Sequence, residues 1–172
     1  MKKILIASFL FIFQSVCFAQ NNTQNADEIL NTVYAKAAKE NKNVFVIFHA
    51  SWCGWCKKMD KSMQDPSTKK YFDANYITVH LTVLETNKKL NTPGAVDLIT
   101  KYNADTSGIP FFLILNSKAD LLGSSFIKKY NIGCPANEKE VKIFIDILKR
   151  TSKIDQEGLK IIANRFRQNE VK

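Results

Sequence analysis

Hydrophobic and polar positions change period several times along the chain. Between residues 26 and 40, Ile29, Leu30, Val33, Tyr34 and Ala37 recur at helical spacing, and Asn41 to Asn43 end the stripe. Val44 to Ala50 (VFVIFHA) is a continuous apolar and aromatic run, as expected of a strand covered on both faces. Trp52 to Gln64 returns to helical spacing, with Cys56, Met59 and Met63 on one face. Asp65-Pro66 then offers an N-cap followed by a proline at the first helical position. The helix is therefore expected to break there and restart, running to about Ala74.

Tyr76 to Leu84 predicts a second strand. Thr92-Pro93 marks another helix start, with Val96, Ile99 and Tyr102 as its stripe. Pro110 to Asn116 (PFFLILN) reads as a strand, Ser117 to Asp120 as a turn, and Leu121 to Phe126 as the returning hairpin strand. Two amphipathic helices close the chain. One spans 137–150 through Val141, Phe144, Ile145 and Leu148; the other spans 155–168 through Leu159, Ile162 and Phe166. The order α-β-α-β-α-β-β-α-α implies crossover connections and parallel pairing among the early strands, then an antiparallel hairpin. An α/β domain with a mixed sheet flanked by helices follows, without internal repeats or low-complexity tracts.

The first 19 residues stand outside this domain. Lys2 and Lys3 precede an apolar run from Ile4 to Phe13, and Ala19 closes a small-residue cleavage site with Cys17 two positions before it. This is the layout of a secretory signal peptide. The apolar stretch is short for a membrane span, and Gln14-Ser15-Val16 ahead of Cys17 matches a lipidation box poorly. The expected organisation is a signal peptide at 1–19, cleaved after Ala19, and a mature domain at 20–172. Its core is expected at about 26–150, with a helical extension at 151–172. The expected location is periplasmic or secreted.

With 172 residues, 45% of them hydrophobic, the chain is long enough for one ordinary core. Its net charge of +9 comes from scattered lysines, without a dense basic block or a basic stripe mixed with aromatics. It reads as solvated surface rather than a nucleic-acid footprint. Loss of the leader leaves Cys53, Cys56 and Cys134. That is too few for a disulfide-stapled scaffold, and one must remain unpaired within the chain.

Chemistry concentrates in His49-Ala50-Ser51-Trp52-Cys53-Gly54-Trp55-Cys56-Lys57-Lys58. A buried strand leads directly into two cysteines that open a helix. Two intervening residues let the sulfurs meet across one turn. The first sulfur would sit at the helix N-terminus, where unpaired N–H groups and the macrodipole favour an anion. A thiolate is the nucleophile in disulfide exchange, so Cys53 is the expected attacker. Lys57 and Lys58 add positive charge nearby. Cys56, inside the first turn and expected to be the more buried, would resolve the mixed disulfide. Two other readings stand beside this one. A structural disulfide would close a small loop and constrain the unfolded chain little. A metal site using Cys53, Cys56 and His49 or His80 would lack a second ligand pair at matching spacing. Otherwise His49 and His80 read as strand residues facing core or groove.

WCGWCK after a buried strand, Ile109-Pro110 before an apolar strand, and the closing hairpin and helix resemble the thioredoxin superfamily over roughly residues 26–150. Within it, the chain looks like exported proteins with a WCxWCK-type site and a long, interrupted active-site helix. The resemblance implies a thioredoxin fold with an extra C-terminal helix, and dithiol–disulfide exchange by Cys53 and Cys56. It implies a cis Pro110 beside them and Ile109 lining a substrate groove. Trp52 and Gly54 would adjoin the pair, with Trp55 exposed on the docking surface. The implied partners are exported proteins with cysteines or disulfides, and a membrane thiol reductase as electron donor. A monomer without metal or cofactor is expected. An oxidase or isomerase, or a binding module in which the cysteines are incidental, are the alternatives.

The sequence departs from typical thioredoxin in several places. Gly54-Trp55 stands where Gly-Pro is usual, which leaves the redox potential open. Ile47 occupies the strand position that often carries a buried acid, so the proton shuttle for Cys56 must be water or another group, with Glu85 a candidate. Residues 85–108 and 151–172 are longer than in minimal members and would cover the core or shape a partner surface. Aligning Gly133 with the glycine before the last family helix puts Cys134 near the groove. It would be a buried inert thiol or a third redox cysteine.

Overall fold

The computed structural model describes residues 24–171 apart from Asn103, so the expected signal peptide lies outside the described residues. Helix α1 (Ala26–Glu40) starts at a capping box, with Asn25 and Glu28 each bonding the other's backbone N–H. It leads into β1 (Asn43–His49), whose central five residues are buried. Alternation splits β1 between two cores. Val44, Val46 and Phe48 face a layer with α1, while Phe45 and Ile47 face the opposite layer. Strand β3 (Phe111–Leu115) divides in the same way, with Phe112 and Ile114 packing beside Phe45 and Ile47.

The remaining elements are α2 (Gly54–Met63), α3 (Lys69–Asn75), β2 (Tyr76–Thr82), α4 (Ala95–Lys101), β4 (Leu121–Ser124), β5 (Phe126–Ile127), β6 (Tyr130–Asn131), α5 (Glu138–Thr151) and α6 (Gln156–Arg167). The main sheet has the order β2-β1-β3-β4, with β1 and β2 parallel and both β1–β3 and β3–β4 antiparallel. The crossover through α2 and α3 thus gives the expected parallel pair. The connection through α4 does not, because β3 returns on the other side of β1 in the opposite sense.

Three local expectations are corrected. The helix does not restart at Pro66. Asp65 instead folds into a turn: its Oδ1 accepts from the N–H and hydroxyl of Ser67, and its carbonyl accepts from the N–H groups of Thr68 and Lys69. Helix α4 starts after Gly94 (φ 78°) rather than at Thr92. Thr92 exchanges two hydrogen bonds with Thr82 and so extends the edge of β2. The last strand ends at Ser124, because Ser125 uses its own N–H and Oγ to bond Phe112. The chain then makes a second small hairpin, β5–β6, that the sequence did not suggest.

The C-terminal helix is part of the core. Leu159, Ile162 and Phe166 are buried against Phe72 and Phe144, with Phe144 and Phe166 ring centroids 4.8 Å apart.

Candidate active site

The end of β1 and the start of α2 meet in a tight turn closed by the Cys53 N–H on the Ala50 carbonyl at 3.1 Å. Cys53 is the N-cap of α2, and its Sγ accepts the Cys56 N–H at 3.1 Å. This is the position at which a sulfur gains most from the orphan N–H groups of a helix start. Cys53 and Cys56 are joined as a disulfide, with Cα atoms 5.3 Å apart. Both residues are buried, at 4% and 2% exposed, so burial barely separates them; their places on the helix do. Ala50 and Ile109 pack around the pair.

The Ile109–Pro110 peptide bond is cis, and Pro110 is buried immediately before β3. Asn131 organises this loop. Its Nδ2 donates to the carbonyls of Ser107 at 2.9 Å, Gly108 at 3.3 Å and Pro110 at 3.0 Å, while its Oδ1 accepts from the Gly133 N–H. A cleft of about 480 Å³ opens beside the disulfide. Trp55, Ile109 and Pro110 line it, together with Asn131, Cys134 and Glu140 and the C-terminal residues Glu170 and Val171. The C-terminal segment is pinned there by Arg167, whose Nη1 donates to the Ala136 carbonyl at 2.7 Å. Nothing in the sequence marked Asn131, which acts through backbone groups distant in the chain, whereas residues 151–172 were expected to cover the core or shape a partner surface, and Glu170 and Val171 do line the cleft.

The tryptophans are both exposed but do different things. Trp52, 56% exposed, donates from Nε1 to the Leu84 carbonyl at 3.0 Å. Trp55 carries the Lys58 ammonium 4.2 Å above its ring, and Lys58 also donates to the Asn169 carbonyl at 3.4 Å. Gly54 opens α2 in free space.

Glu85 does not sit as a partner of Cys56. Its carboxylate accepts both the N–H and the hydroxyl of Ser51. Ile47 is fully buried in the apolar layer. His80 Nε2 lies 2.7 Å from Asp60 Oδ1, and its ring is 5.0 Å from that of His49. Burial, and then the neighbouring His80, hold the His49 imidazole below its ordinary value. Among the described residues no cluster of three or more His, Cys, Asp or Glu side chains is placed to hold a metal ion.

Cys134 is buried beneath the cleft. Asn169 Nδ2 approaches its Sγ at 3.6 Å, and burial pushes the thiol up to about 12. It is a protonated thiol at neutral pH, which matches the inert reading rather than a low-pKa redox cysteine.

A mixed sheet that delivers a CxxC disulfide to the N-terminus of a helix defines a thiol–disulfide oxidoreductase of the thioredoxin type. Residues 24–117 match the profile of the thioredoxin-like family, and the chain belongs to that family. Among solved structures it is similar to the disulphide isomerase from Xylella fastidiosa Temecula1, at 17% identity over 90% of this chain and 98% of that one, TM-score 0.51. It is also similar to a thioredoxin from Thermus thermophilus, at 24% identity over 54% and 68% of the two chains, TM-score 0.42. A third similar structure is the oxidised DsbD C-terminal domain of Neisseria meningitidis, at 21% identity over 57% and 77%, TM-score 0.41. At these identities the likeness is one of fold. No curated protein matches the sequence significantly.

Proposed function

We propose that this protein is exported and reduces disulfides of extracytoplasmic proteins through Cys53 and Cys56. The observation that carries the reading is the disulfide between an N-cap cysteine and one in the first turn of the same helix, with a cleft of about 480 Å³ lined by Trp55, Ile109 and Pro110 next to it. In the reduced protein, Cys53 as thiolate attacks a substrate disulfide and forms a mixed disulfide, releasing one substrate thiol. Cys56 then loses its proton, attacks Cys53 Sγ, and releases the second thiol. The substrate gains two electrons and two protons, and the chain returns to the Cys53–Cys56 disulfide. Ile109, Pro110 and Trp55 line the face on which the substrate rests, with Trp52 and Gly54 flanking the attacking sulfur. A membrane thiol reductase recharges the pair, because an oxidising compartment offers no reducing pool. The signal-peptide pattern at 1–19 supports export.

The deciding measurement is the equilibrium of the pair against glutathione, followed by Trp52 and Trp55 fluorescence. A potential near that of thioredoxin, about −270 mV, fits a reductase; one near about −120 mV would make the protein an oxidant. Cys53→Ser should abolish turnover, and partner binding that persists undiminished in that variant would point to a scaffold instead. Cys56→Ala should accumulate mixed disulfides at Cys53 and so identify the partners.

A further inference from the structure

The chain between β2 and α4 leaves the edge of the sheet and comes back to it. Thr92 bonds Thr82 at the base of this excursion, and the Glu85 N–H reaches Asn91 Oδ1 at 2.9 Å across it. Residues 83–91 therefore form a closed, cross-braced loop, with a single 3₁₀ turn at Lys88–Leu90. The loop is fastened to the residues just ahead of Cys53. Glu85 accepts the N–H and hydroxyl of Ser51, and the Leu84 carbonyl accepts the Trp52 indole N–H at 3.0 Å. Neither Trp52 nor the loop lines the cleft, so together they extend the surface around Cys53 beyond it.

What this surface displays is unusual. Leu84 is left-handed, with φ 57°. Among the described residues, the other non-glycine residues in that region are Asn41, which caps α1, and Ala119 and Lys128, which lie between paired strands. Leu84 is the large apolar one, in a conformation that glycine adopts without strain. Its side chain does not offset that strain by burial, because it is 47% exposed. Trp52 and Leu90 are exposed too, at 56% and 61%. Strain without burial is found at functional surfaces, and exposed apolar side chains on a braced frame mark interaction sites. The loop's charges divide by side. Glu85, its one acid, is buried against Ser51, whereas Lys88 and Lys89 are exposed.

We propose that the 83–91 loop, with Trp52, is a docking surface for a redox partner protein that carries apolar side chains and acidic residues beside its cysteines. The proposal rests on the redox reading above and names the chemistry of the partner. Apolar side chains of the partner cover Leu84, Trp52 and Leu90 and remove them from water. The loop is already braced and Trp52 already held, so little conformational freedom is lost on contact. Carboxylates of the partner lie against Lys88 and Lys89, which speeds encounter and rejects basic surfaces. Because Trp52 immediately precedes Cys53, a partner seated here brings its own disulfide to the attacking sulfur.

The test gives purified, reduced protein a set of disulfides and reads the single-turnover rate of each. One is a disulfide-closed peptide with leucine and glutamates beside its cysteines. The second is the same peptide with lysines for the glutamates, and the third is the small neutral bis(2-hydroxyethyl) disulfide. Wild type should reduce the acidic peptide about fivefold to tenfold faster than the basic one at low salt, and salt should shrink that ratio. Lys88→Glu combined with Lys89→Glu should reverse the preference. Leu84→Gly keeps the left-handed backbone and the carbonyl that holds Trp52, and removes the side chain. Its melting temperature should hold or rise, while the acidic peptide slows about fivefold more than the small disulfide. Equal rates for the two peptides in wild type overturn the proposal, and so does equal slowing of every disulfide in Leu84→Gly. Should the double lysine variant fail to fold, the salt dependence of the wild-type preference still decides. Binding to phosphatidylglycerol vesicles through Lys88 and Lys89, with both peptides reduced alike, would make this face a lipid surface and also overturns it. If wild type reduces none of the disulfides, the redox reading fails and the docking proposal with it; a wild type that reduces all of them without preference sinks the docking proposal alone.

Discussion

Asn131 Nδ2 donates to the Pro110 carbonyl at 3.0 Å, joining the end of β6 to the loop that forms one wall of the cleft. The same amide also reaches the carbonyls of Ser107 and Gly108, so one side chain sets the shape of a four-residue segment. Asn131→Ala would strip that donor from partly buried carbonyls. It should lower stability by about 1–3 kcal/mol, read by urea denaturation. Because the loop faces the disulfide, reduction of a peptide disulfide should slow more than reaction with small dithiothreitol. Equal slowing of both would mean the loop contributes nothing to substrate placement.

The second prediction concerns Cys134 and its neighbour Asn169. With burial pushing the thiol to about 12, the native protein should leave Cys134 unmodified by a thiol reagent at neutral pH, even after the disulfide is reduced. The pH dependence has a definite sign. An unfolded thiol ionises near 9.0, so the folded form is favoured fully below that value and loses stability as pH rises toward about 12. Asn169 bonds Ser62 at 2.9 Å as well as approaching Cys134. Asn169→Ala should release this end of the chain and make Cys134 modifiable at a measurable rate.

Asp65 gives an acid-side prediction. The Ser67 hydroxyl and N–H, then Arg165 at 2.7 Å, hold its carboxyl down to about 2 from an ordinary 3.8. A lowered carboxyl favours the folded state above about pH 4, and this contribution disappears as pH falls toward 2. Arg165→Met should flatten part of the acid-unfolding curve between those values and leave the neutral redox equilibrium alone. The wild-type slope persisting in the variant would assign it to other carboxylates.

A fourth prediction tests how α6 docks. A Cβ added at Gly158 would stand 2.6 Å from Tyr71 Cε1 and 2.7 Å from Ile154 Cγ2. Gly158→Ala would gain about 1 kcal/mol of helix propensity, against about 1–3 kcal/mol for overpacking. The clash should win, because both neighbours pack against the main core. The melting temperature should therefore fall; a rise would mean α6 can shift outward freely.

Much of the site was readable because its signals are local. The VFVIFHA run, the two-residue spacing of Cys53 and Cys56 and the helical face through Met59 and Met63 all act within a few positions, where periodicity and helix-terminus physics apply. The same locality explains the missed turn at Pro66. Asp65 had the right residue type for a cap, but its side chain was claimed by Ser67 and by Arg165, 100 positions away.

What the sequence alone determined is therefore the cysteine pair, the strand that delivers it and the helix that begins at it. Only the tertiary structure decided that Glu85 holds Ser51, that Asn131 shapes the Pro110 loop, and that the C-terminal segment walls the cleft beside Cys134. These are single hydrogen bonds and packing contacts between distant segments. They leave no periodic trace, because each depends on where the folded backbone brings one donor to one acceptor rather than on any repeating pattern of apolar positions.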